Sequence, residues 1–103
     1  MDKIIRFFGG KKSCVITRPI LWPEGELVIN ADAPKGYVKV AVTDVYRKLC
    51  EGFTYDDCVP FTGDSVRHRI QWKKSKMADL KGKMLRLEFE FKNADIYAFL
   101  ATE

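Results

Sequence analysis

Histidine is nearly absent: His68 is the only one in the chain. The three cysteines, Cys14, Cys50 and Cys58, form no C-x-x-C pair and lack the histidines that would complete a ligand set. The common zinc spacings are therefore missing, and no metal or other cofactor is expected. An odd cysteine count argues against a disulfide framework. Three buried or half-buried thiols are expected, with a Cys50–Cys58 bridge as the alternative, since spacing alone cannot supply the geometry a bridge needs. No apolar run approaches the roughly 20 residues of a membrane helix, so no membrane partner is expected. Residues 1–12 carry charges inside their apolar stretch and no small-residue cleavage site, so no leader is read there and the compartment is left unassigned. Repeats, low-complexity tracts and linkers are missing too, and residues 1–103 are read as one domain.

What is present fits a folded β domain. Hydrophobic residues make up 47% of the chain, too many for a disordered polypeptide. A chain of 103 residues can bury roughly two thirds of its unfolded surface around one core. The net charge of +4 is scattered along strands and turns. Its densest run is Arg67, Arg69, Lys73, Lys74 and Lys76, without the concentrated patch or motif that nucleic-acid binding usually needs. No nucleic-acid partner is expected.

The stretch 83–99, KMLRLEFEFKNADIYAF, carries the clearest pattern. Leu85, Leu87, Phe89 and Phe91 alternate with Arg86, Glu88, Glu90 and Lys92, which is the signature of a strand buried on one face. Asn93-Ala94-Asp95 interrupts, and 96–100 is a second extended run. Residues 26–31 and 37–43 also alternate, and the turn-rich segment 32–36 between them predicts an antiparallel pair joined by a five-residue connection. Residues 62–65 read as a turn and 66–73 as a strand with Val66, His68, Ile70 and Trp72 on one side. Pro19 and Pro23 frame Leu21-Trp22, which reads as an edge strand or a strand end. Met77, Ala78 and Leu80 suggest one helical turn, stopped by Gly82. The fold class is all-β: an antiparallel β-sandwich, jelly-roll-like, of six to eight strands with at most one short helical turn.

Three segments in order, GELVINADAPKGYVKVAV (25–42), DDCVPFTGDSVRHRIQW (56–72) and LKGKMLRLEFEFKNADIYAF (80–99), together resemble the C-terminal β-sandwich domain of bacterial glycosidase-like proteins. In that family a propeller similar to glycoside hydrolase families 32 and 43 precedes the sandwich. The resemblance covers roughly 17–99 and departs at Asn93, where aspartate is usual. It implies a non-catalytic accessory domain, a C-terminal fragment of a longer protein, with the upstream propeller of the same chain as partner. It brings no catalytic residue to this chain, and it places Asp64 and Asp95 at turn-fixing positions. A domain parted from such a neighbour is expected to self-associate through the surface the neighbour covered.

No residue set by itself spells catalysis. Glu88 and Glu90 would stand about 6.5–7 Å apart, near the separation in inverting glycosidases. They project in parallel from one face, however, and read as solvated partners of Arg86 and Lys92. Asp32, Asp44, Asp56, Asp57 and Asp64 fall in or beside turns, where the side chain bonds its own backbone; calcium between loops is the sharper alternative. Carbohydrate is the alternative ligand, because sugars stack their C–H faces on aromatic rings beside polar groups. The candidate ligand-binding residues are Trp22, Tyr46, Phe53 and Tyr55.

Overall fold

The computed structural model describes residues 2–9 and 13–102, with the backbone alone for 2–9, Val66 and Thr102. Seven strands run through the described residues: β1 (Asp2–Gly9), β2 (Ser13–Ile16), β3 (Ile20–Leu21), β4 (Glu26–Thr43), β5 (Phe61–Arg69), β6 (Met84–Lys92) and β7 (Ala94–Thr102). A single 3-10 turn, Met77–Leu80, precedes Gly82 at φ 81°. Every strand pairing is antiparallel. The fold is all-β, in keeping with the alternating runs.

β6 follows its pattern. Leu85, Leu87, Phe89 and Phe91 are buried, because alternate residues leave a pleated strand on one face. β2 and β3 both flank β6 on the side away from β4. The two-residue β3, set between Pro19 and Pro23, pairs with β6 alone, as an edge strand bounded by residues lacking a ladder donor should.

β4 differs from expectation. Segments 26–31 and 37–43 do not pair with each other; they are the two halves of one 18-residue strand. The first half pairs with β7, from Glu26↔Thr102 to Asp32↔Asp95, and the second with β6, from Tyr37↔Lys92 to Thr43↔Arg86. β6 and β7 meet at Asn93, whose φ of 48° suits asparagine better than most side chains. The two strands therefore run as one long partner beside β4. Pro34 lies where the β5 register jumps from Ala33↔Gly63 to Val38↔Phe61, so its missing N–H breaks no ladder bond. The turn-rich 32–36 makes a corner in a continuing strand instead of reversing the chain.

Two rings show how sharp that corner is. Phe89 lies opposite Val40, and Phe99 opposite Ile29. Ten residues of straight ribbon would separate them by about 33 Å, yet their centroids are 5.3 Å apart. The ribbon is thus folded over into two layers. Leu27, Ile29, Ala31, Ala33, Ile96 and Phe99 face Val38, Val40, Val42, Leu87, Phe89 and Phe91 in one buried cluster. A β-carbon on Gly36 would land on the Lys92 carbonyl, so the corner requires glycine where the backbones come together.

β5 pairs with β4 on both sides of the corner and includes residues 62–65, read from sequence as a turn. Gly63, at φ 99°, lets the strand continue through the bulge. The strand ends at Arg69, sooner than its alternation suggested. Ile70 and Trp72 are nevertheless buried. The Ile70 N–H donates to the Leu27 carbonyl, and the Trp72 indole N–H donates to the Val40 carbonyl at 2.9 Å.

Candidate functional site

The outward face of β6 carries Met84, Arg86, Glu88 and Glu90. It was expected to be wet, but Glu90 is only 8% exposed, and Arg86 and Glu88 are half-buried. The cover is the segment 44–58, which leaves β4 after Thr43 and crosses that face. Asp44 starts the crossing by accepting the N–H groups of Tyr46 and Lys48 at its Oδ1. Arg47, at φ 67°, then reaches Glu88 at 3.4 Å. Further on, Asp57 accepts the Thr54 hydroxyl at 2.8 Å. These aspartates fix turns, as short acidic side chains do. Among the described residues no three His, Cys, Asp or Glu side chains converge on a common metal position.

The ion pairing differs from the sequence reading. Arg86 spans to backbone instead of to its neighbouring glutamates, donating to the carbonyls of Val45 at 3.0 Å and Thr17 at 3.1 Å. Its guanidinium thereby ties the crossing segment to the β2–β3 connection. Glu90 accepts the Tyr37 hydroxyl at 3.3 Å, and Cys14 lies opposite Glu90 in the β2–β6 register.

A groove of about 360 Å³ opens between the crossing segment and the strands. It is lined by Lys39, Leu49, Thr54, Tyr55, Asp56 and Glu90. Burial raises the pKa of the Tyr55 phenol well above its usual value; the neighbouring Cys14, Glu88 and Glu90, and a hydrogen bond with Cys14, raise it further. A phenolate there would lose hydration beside negative groups. Tyr55 is therefore held as the neutral O–H, a hydrogen-bond group and not a base.

The four candidate ligand-binding aromatics do not come together. Trp22 is 2% exposed, and its indole N–H donates to the Gly25 carbonyl at 3.1 Å. Phe53 is 5% exposed and packs edge-on against Trp72 at 5.1 Å. Neither presents a ring face to solvent, so both leave the candidate set; each ring is worth more in the core than at a surface. Tyr46, 88% exposed, and Tyr55, in the groove wall, keep accessible ring surface. Of the groove's polar members, sequence reasoning missed Lys39 and Thr54, read Asp56 as a turn residue and read Glu90 as a solvated ion-pair partner. The alternation of β6 pointed Glu90 toward solvent, where the structure instead covers it.

The same face gathers exposed apolar side chains. Leu21 and Met84 are directly opposite each other across β3 and β6 and are 58% and 49% exposed. Ile16 lies farther along, opposite Glu88, while Tyr46 and Leu49 project from the crossing segment. Among the described residues, Val59 is the remaining exposed large hydrophobic residue, on the segment that bridges toward Trp72. What fold and face together define is an antiparallel β domain with one apolar, partly grooved side. No family model, curated protein or solved structure matches this chain.

Proposed function

We propose that this chain is a non-catalytic accessory domain that packs against the catalytic propeller of a glycoside-hydrolase-like protein. The observation that carries the reading is that exposed Ile16, Leu21 and Met84 share the outward face of β2, β3 and β6, with Tyr46 and Leu49 exposed on the segment that crosses it. Single exposed hydrophobics need no explanation, but several sharing one sheet face suit a surface made to be covered. The ordered segments between 17 and 99 that resemble a sandwich following a propeller suggest what covers it. Chemistry on this face is already engaged: Glu88 is paired with Arg47, Glu90 with Tyr37, and Tyr55 is kept neutral by burial and acidic neighbours.

The test is sedimentation of the isolated domain, then mixing with the propeller encoded in its own reading frame. Concentration-dependent association, relieved by Leu21→Lys with Met84→Lys and by the propeller, is expected. A strictly monomeric domain that ignores the propeller would overturn the reading. So would turnover of aryl glycosides by the domain alone that is lost in Glu88→Gln or Glu90→Gln.

A second reading, carbohydrate binding, is favoured by Tyr55 standing in a groove with Lys39, Thr54, Asp56 and Glu90. Saturable calorimetric binding of an oligosaccharide that disappears in Tyr55→Ala or Tyr46→Ala would put it first.

A further inference from the structure

The basic run that stood out in the sequence has a structural counterpart away from the β6 face. Arg69, Gln71, Ser75 and Lys76 line a recess of about 220 Å³, together with Glu26, Ile70 and Trp72. Arg69 is the last residue of β5, and Ser75 and Lys76 lie just before the 3-10 turn. Two cations and two neutral donors therefore meet at one opening. Among the described residues none of these four side chains has a hydrogen-bond or ion-pair partner. The recess holds one carboxylate, Glu26, and its Oε2 already accepts the Met77 N–H at 3.1 Å.

We propose that this recess binds a small carboxylic acid as its anion. Its size sets the scale, since it falls below the roughly 300–1,000 Å³ of pockets for drug-sized ligands. The donors set the sign, because a guanidinium fork matches a planar carboxylate with two parallel N–H···O bonds. Lys76 adds a point charge, and the Gln71 amide and Ser75 hydroxyl supply further donors. Glu26 decides between anions. Two cations and one carboxylate leave the lining one positive charge, which a monoanion neutralises, whereas a dianion such as phosphate or sulfate leaves excess negative charge beside Glu26 and gives up more hydration to enter. Ile70 and Trp72 close the floor, being only 1% and 5% exposed.

The experiment is a titration of the folded chain with sodium acetate at constant ionic strength, followed by NMR at the Arg69 Nε–H, the Gln71 side-chain amide and the Trp72 indole N–H. Saturable shifts at all three are expected. Arg69→Gln should weaken binding by roughly tenfold or more, and Lys76→Gln should weaken it less. Arg67→Gln, which removes a cation of the same strand outside the recess, should leave it unchanged. Glu26→Gln should tighten acetate and admit inorganic phosphate. Linear, unsaturating shifts in the parent chain would overturn the proposal, as would equal losses from Arg67→Gln and Arg69→Gln. Tighter binding of phosphate than of acetate by the parent chain would overturn the assignment to a carboxylate.

Discussion

His68 shows how one half-buried ring ties stability to pH. It packs against Phe61 with ring centroids 4.3 Å apart, and burial lowers its pKa from the ordinary 6.5. The folded chain therefore binds fewer protons at this ring than the unfolded chain in the window below pH 6.5. The contribution is fully present above 6.5, falls as pH drops through the window, and levels off below the folded value. Denaturation midpoints measured across this range should show a small decline, small because the ring is partly solvated; His68→Gln should remove it. Gly36 is the opposite case, a residue that matters for what it lacks. Since a β-carbon would meet the Lys92 backbone, Gly36→Ala should cost roughly 1–3 kcal/mol or more in urea unfolding. A neutral effect would mean that the two backbones can separate at the corner without loss.

Among the elements, β6 ties the short edge strands to the core. It pairs with β4, β2 and β3, buries four large side chains inward and is partly covered outward by the 44–58 crossing. Phe89 touches the opposite layer through Phe99, so its loss leaves a void between layers that neither can close alone. Phe89→Ala should destabilise by about 3–5 kcal/mol, a large part of the roughly 5–15 kcal/mol a domain possesses. A loss below about 1 kcal/mol would show that the layers do not share this core. The alternation of 84–92 made β6 legible, since side-chain period is a local property of an extended backbone. The same alternation misled at Glu90, because a strand has two faces and the pattern does not say whether something covers the polar one.

For the whole molecule, the question is what holds two layers together without cross-links. Cys14, Cys50 and Cys58 are free thiols, and Cys14 is exposed on β2 where burial was expected. Burial raises the pKa of Cys58, which accepts the Val40 N–H at its sulfur. Burial also raises Cys50, helped by the nearby Asp44. Both are poor nucleophiles at neutral pH, because the thiolate is the reactive form. A reducing agent should leave the melting temperature unchanged. Loss of a real bridge, typically worth about 2–4 kcal/mol, would lower it by several degrees, at about 4–8 °C per kcal/mol in a domain of this size. Cohesion falls instead to the apolar cluster and to ties such as Arg86 to Val45 and Thr17, which join residues 41 and 69 positions apart.

The sequence by itself determined the all-β class, the inward face of β6, the interruption at Asn93, the edge strand between two prolines and the helical turn before Gly82. Each of these is set by the dihedral preferences and side-chain alternation of a few neighbouring residues. The tertiary structure alone decided that 26–43 is one bent strand, that Trp22 and Phe53 belong to the core, and that Glu90 lies under a crossing segment. It alone brought Arg69, Gln71, Ser75 and Lys76 to one recess. Segment 32–36 has the composition of a turn, and composition does not distinguish a reversal from a corner. That choice was made by β6 and β7, some 50 residues later, offering continuous backbone partners to both halves of β4.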